Sequence, residues 1–163
     1  MKSIRSAFLL LLSLASMAIK AQEDPGRANV GKLQVTVYHA TNADPELAGE
    51  RAARIAPETE KRLQNESRLK FAHYRVLGAE TQPIFRTYEN WAQPLKPSDE
   101  ILIRYEARSQ PGAKSISLDL ELWISRKKIL KTDALLQHGR PLYVLGPEWR
   151  GGRLIIAVAL APM

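Results

Sequence analysis

The chain has 163 residues, 25% of them charged and 45% hydrophobic, with a formal net charge of +7 and no cysteine. That composition excludes a disulfide-stapled scaffold, a cysteine zinc site and lipid attachment through an N-terminal cysteine. The charges alternate in sign rather than gathering in one basic patch, which argues against a nucleic-acid binder.

Lys2 and Arg5 precede an uncharged, mostly apolar run over residues 6–19. A membrane-spanning helix needs about 20 apolar residues, so this run is too short to be an anchor. It has the order of a cleavable signal peptide over residues 1–21, with cleavage after Ala21 or after Ala18. Removing residues 1–21 takes away Lys2, Arg5 and Lys20 but no acidic residue, so the net charge falls from +7 to about +4. The processed chain is expected in the periplasm or outside the cell, with no stable membrane anchor. Residues 22–31 read as a flexible leader. Residues 32–163 read as one β-rich domain, long enough to bury its own core.

Residues 32–40 (KLQVTVYHA) alternate apolar and polar side chains, the period of a half-buried strand. A polar turn follows, and a short helical turn is expected within residues 47–54. The one clear helix begins at Pro57, where a first-turn proline is tolerated and Glu58 and Glu60 suit the positive helix end. Its apolar stripe, Ile55, Thr59 and Leu63, is narrow, so it should lie on the surface. Residues 71–77 and 83–91 are expected as two strands, and the prolines at 94 and 97 mark a loop.

Residues 100–108 form the next expected strand, and the QPGAK segment at 110–114 turns the chain. Ile116, Leu118, Leu120, Leu122 and Ile124 then alternate with Ser117, Asp119, Glu121, Trp123 and Ser125. Residues 129–136 are the expected hairpin partner. Keeping Leu130, Thr132, Ala134 and Leu136 on the face of the leucines requires a three-residue loop at 126–128. That loop length favours a glycine, and none is there. Residues 142–145 form a further strand, the glycine-rich GPEWRGG segment reads as a tight turn, and residues 154–160 (LIIAVAL) are apolar on both faces. Such a strand belongs in the middle of a sheet or under a helix. The expected class is mainly β (α+β): an antiparallel sandwich or partly open barrel of about eight strands, with one helix after the first.

Few residues suggest chemistry. His39, His73 and His138 lack metal-ligand spacing, and no serine stands in a nucleophile motif. The glycine-rich segment lacks the lysine and hydroxyl of a phosphate loop, and the Asn65-Glu66-Ser67 sequon reads as idle. Asp119, Glu121 and Trp123 share one strand face. An indole that stacks on a pyranose, with acids accepting its hydroxyl protons, would make that row a sugar-binding surface. The other reading covers Trp123 with the helix or a loop and leaves both acids in water. Acid–base chemistry would need one carboxyl to be raised, and nothing local raises either.

Three segments, KLQVTVYHATN at 32–42, RLKFAHYRVLG at 68–78 and residues 115–160, resemble a group of small exported bacterial β-rich proteins of unknown function. The matching residues are Phe71, Tyr74, Arg75, Val76, Leu77, Gly139, Pro141, Gly146, Pro147, Leu154, Ile155, Ile156 and Ala157. Leu145 departs from the pattern, where a second glycine would stand. The resemblance implies a bacterial envelope location and carries over no catalytic residue. Together these readings give an exported, non-catalytic accessory or binding domain whose partner is an envelope protein or glycan. A carbohydrate-binding module on the Trp123 face is the first alternative, and an enzyme assembled from dispersed residues such as His39, His73 and Asp119 the second. No cofactor or metal is expected.

Overall fold

A computed structural model describes residues 23–108 and 114–162. The expected signal peptide at 1–21 and nearly all of the turn at 110–114 lie outside the described residues. In chain order the elements are β1 (Asn29–Thr41), β2 (Ala53–Arg54), α1 (Pro57–Asn65), β3 (His73–Phe85), β4 (Asn90–Ala92), β5 (Ile101–Ala107), β6 (Ser115–Ile124), β7 (Lys127–Gln137), β8 (Leu142–Trp149) and β9 (Gly152–Leu160). They build a five-stranded sheet in the order β2-β3-β1-β9-β8 and a four-stranded sheet in the order β4-β5-β6-β7. Every pairing is antiparallel. The two sheets stack as an open β-sandwich, not a closed barrel.

Alternation explains the core. Leu33, Val35 and Val37 of β1 and Leu154, Ile156, Val158 and Leu160 of β9 meet Ile101, Ile103, Tyr105, Leu118, Leu120 and Leu122 from the other sheet. Each fully buried aliphatic side chain contributes about 1.5–3 kcal/mol. The intervening residues of β1 and β9 face the opposite way. There Tyr38, Ala40, Ile155 and Ala157 pack with Leu63 of α1, Leu69 and Tyr74. The double-sided apolarity of β9 is thereby explained: one face meets the sandwich core and the other lies under the helix. Helix α1 remains a surface element, with Leu63 its one buried residue.

In place of the expected strands at 71–77 and 83–91 the chain forms one long β3, paired with β1 from His73 to Phe85, and the separate short strand β4 at Asn90–Ala92 in the other sheet. The polar 78–82 stretch looked like a break because its side chains serve the neighbouring loop. Glu80 accepts hydrogen bonds from the Gln93 N–H, the Lys96 ammonium and Gln82. The expected helical turn within 47–54 is a 3-10 turn at Pro45–Ala48 followed by the short edge strand β2.

Two hairpins also differ. β6 and β7 are joined by only Ser125 and Arg126, both at positive φ, 49° and 63°. Leu130 nonetheless pairs with Leu122, because Ile129 is an extra residue bulged out between Lys128 and Leu130. The bulge supplies the parity shift that the sequence seemed to demand of a longer loop. In the tail, β8 runs on through Gly146 and Pro147 with an irregularity there, and the reversal falls at Arg150-Gly151, φ 45° and 71°. The segment read as one tight turn is thus a bulge followed by a turn.

Two consecutive left-handed residues favour Asn-Gly, and neither Ser125 nor Arg126 is that. Replacing Ser125-Arg126 by Asn-Gly is expected to stabilise the fold by about 1 kcal/mol. Urea unfolding should show a higher midpoint with an unchanged slope.

Candidate functional site

Outward positions of the four-stranded sheet fall into rows set by its register. Leu102, Trp123 and Lys128 form one row across β5, β6 and β7. Trp91, Arg104, Glu121 and Lys131 form the next, and Glu106, Asp119 and Asp133 a third. Asp119, Glu121 and Trp123 therefore do share one outer face.

The acids do not face water, contrary to the sequence reading. The Asp119 and Glu121 side chains are only 4% and 7% exposed, because long cations from neighbouring strands lie over them. Arg104 is the hub. It bonds Glu89 at 2.5 Å and Glu106 at 3.2 Å, and lies 3.5 Å from Asp119 and 4.0 Å from Glu121. Asp119 Oδ2 also takes Arg108 at 2.7 Å and Lys131 at 3.5 Å. Its Oδ1 is buried with no partner among the described residues. Glu121 Oε1 takes Lys131 at 3.2 Å and Lys128 at 3.3 Å.

The aromatic part is larger than the sequence reading allowed. Trp123 is neither beneath the helix nor under a loop. It stands beside Trp91, with ring centroids 6.3 Å apart and planes at 51°. Trp123 Nε1 donates to Glu121 Oε2 at 3.1 Å, and Trp91 Nε1 donates to Glu89 Oε1 at 2.7 Å. Both indoles are held by the carboxylate two residues earlier, in Glu89-Asn90-Trp91 and Glu121-Leu122-Trp123. This repeated E-x-W was the available signal for Trp91, which sequence reasoning left as the end of a strand. Lys128 lies over the Trp123 ring, 5.4 Å from its centroid, while Trp91 is 41% exposed.

Charge balance fixes the protonation of Glu121. Burial alone would raise its pKa, but hydrogen bonds from Lys131, Trp123 and Lys128 outweigh that and hold it below its usual value. Arg104 first, and Trp91 second, lower Glu89. Glu121 is thus held ionised, the opposite of what a general acid needs.

The histidines lie elsewhere. His39 is buried in the five-stranded sheet, edge-on to Trp149 at 5.6 Å, with Nε2 3.2 Å from the Trp149 carbonyl. Burial holds the imidazole below its usual pKa, and Nδ1 has no partner among the described residues. Gly152 is required beside it, since a Cβ there would sit 2.4 Å from His39 Nε2. His73 and His138 are exposed. His39, His73 and Asp119 are not brought together, because Asp119 lies on the outer face of the other sheet. Among the described residues no group of three or more His, Asp or Glu could hold a metal ion.

Arg104→Met is expected to cost about 2–3 kcal/mol in urea unfolding, since it strips a cation from two buried carboxylates that keep other partners. The acid limb of stability carries the Glu121 contribution. A carboxyl lowered in the folded state adds stability above its unfolded pKa, and that stability is lost as pH falls through the folded value. Glu121→Gln should flatten that part of the acid slope in urea midpoints measured against pH; an unchanged slope would count against the network. Comparison of the chain with protein-family models, curated proteins and solved structures gave no match, so its function is argued from this geometry.

Proposed function

We propose that the chain is an exported, non-catalytic binding domain of the bacterial cell envelope that takes a glycan on the outer face of its four-stranded sheet. The observation that carries this reading is the Trp91–Trp123 pair, two indoles on an outer sheet face, each oriented by a carboxylate two residues before it. Large apolar side chains are ordinarily withdrawn from such a face, and an aromatic group placed there by hydrogen bonds is suited to recognition. An indole offers a flat apolar surface to the C–H face of a pyranose. Because both rings are already fixed, little side-chain entropy remains to be lost on binding.

The acids take a different part from the one read in the sequence. Asp119 and Glu121 are occupied by Arg104, Arg108, Lys128 and Lys131, so they hold the platform rather than accept ligand hydroxyls. Donors at the rim, chiefly the Lys128 and Lys131 ammonium groups, are the groups that ring hydroxyls would meet. The signal-peptide order of residues 1–21 supports an exported domain, which would meet envelope polysaccharides.

Titrating the purified chain with soluble peptidoglycan fragments and outer-envelope polysaccharides, followed by tryptophan emission, tests the proposal. Binding is expected, and Trp91→Ala should weaken it by about tenfold or more. Emission that stays unchanged with every polysaccharide, or binding indifferent to both Trp91→Ala and Trp123→Ala, would overturn the glycan reading.

A further inference from the structure

Among the described residues the sandwich has four sheet edges, and at three of them the outermost strand is short or broken. β2 is two residues long, β4 is three, and β8 is interrupted at Gly146-Pro147. The fourth, β7, is eleven residues long and regular from Leu130 to Gln137. It is paired with β6 on one side and with no strand on the other among the described residues. A long regular edge of this kind is a template for another strand.

The edge groups can be assigned. The His138 N–H donates to the Lys114 carbonyl. Backbone groups alternate in an antiparallel ladder, so the even residues from Leu130 bond β6 while Lys131, Asp133 and Leu135 point away; at Gln137 the carbonyl is taken by the Arg140 N–H. The Asp133 carbonyl accepts only the hydroxyl of the adjacent Thr132, at 3.3 Å. Two large apolar side chains, Ile129 at 44% and Leu135 at 63% exposed, also lie on this strand.

We infer that β7 pairs antiparallel with β7 of a second copy of this chain, about a two-fold axis through Thr132. In that register Lys131 lies opposite the partner's Asp133, a pair that occurs twice. The outward-pointing groups of Lys131 and Asp133 then bond each other's strands, as a narrow pair requires. Adjacent registers that keep this hydrogen bonding fail on charge. Centring on Lys131 sets two lysines face to face, and centring on Asp133 sets two aspartates. A one-residue slip sets outward groups against groups already bonded to β6. Self-complementarity of this kind is what an isologous dimer needs. The axis stands perpendicular to the sheet, so the product is a continuous eight-stranded sheet with both tryptophan pairs on one side. The inference is independent of the glycan reading, since it concerns the ligand-free chain.

Sedimentation velocity of the purified chain over a concentration series tests it. A concentration-dependent monomer–dimer equilibrium is expected. Asp133→Pro removes an N–H that the monomer leaves unused and should weaken dimerisation at least about tenfold. Asp133→Lys places like charges in register and should do the same, and it decides the matter if the proline variant loses its β-type circular dichroism. The chain has no cysteine, so Thr132→Cys provides a clean register probe that should form an intermolecular disulfide under oxidation. A chain that stays monomeric up to its solubility limit, a dimer that both Asp133 variants leave intact, or a dimer that Thr132→Cys does not cross-link would each overturn the inference.

Discussion

The pairing of β1 with β9 is the constraint on which the rest of the structure rests. These strands come from opposite ends of the described chain, yet they are neighbours at the centre of the five-stranded sheet, in register from Leu33 with Leu160 to Ala40 with Arg153. β9 is apolar on both faces for most of its length and β1 is buried on both faces from Val37 to Thr41, so only a position covered from two sides satisfies them. One side receives the four-stranded sheet and the other receives α1. Had either layer been absent, Ile155, Ala157 and Tyr38, or else Leu154, Ile156 and Val37, would stand in water. Such a pairing has high sequence separation, and its loop closure must precede the contacts that reward it.

The four-stranded sheet answers a different problem. Its inner face is mostly apolar, while its outer face has no covering layer among the described residues, so polar side chains occupy it. Those side chains nevertheless bury two carboxylates. The cause is the width of the sheet: Arg104 and Lys131 reach Glu121 from both flanking strands, and Arg108 and Lys131 reach Asp119. Glu121, enclosed by several donors, stays charged, and the same hydrogen bonding carries over to the Trp123 indole. The outcome is a face on which the aromatic rings are the ordered, partly exposed feature.

Irregularities in the ladders decide which side chains reach which face. Leu77 is bulged out of β3, Ile129 out of β7, and β8 shifts near Gly146-Pro147. Each inserts an odd residue and so flips the parity of everything beyond it. In β7 the flip returns Leu130, Ala134 and Leu136 to the core after a two-residue turn. In β8 it also disposes of an edge, since a strand broken at a proline is a poor template for pairing.

What the sequence by itself determined was the set of faces. The two-residue period of residues 32–40, 101–107 and 115–124, and the solid apolar run at 154–160, implied strands, inner and outer sides, and a sandwich or partly open barrel with one surface helix, between which the structure chose the sandwich. It also put Asp119, Glu121 and Trp123 on one outer face. The surroundings of those three residues were not legible, because the cations that cover them and the second tryptophan belong to other strands. The bulge at Ile129 and the continuity of β3 were equally hidden. Side-chain direction is a local property of an extended backbone, whereas cross-strand neighbours depend on sheet order and register, which distant parts of the chain settle only when they meet.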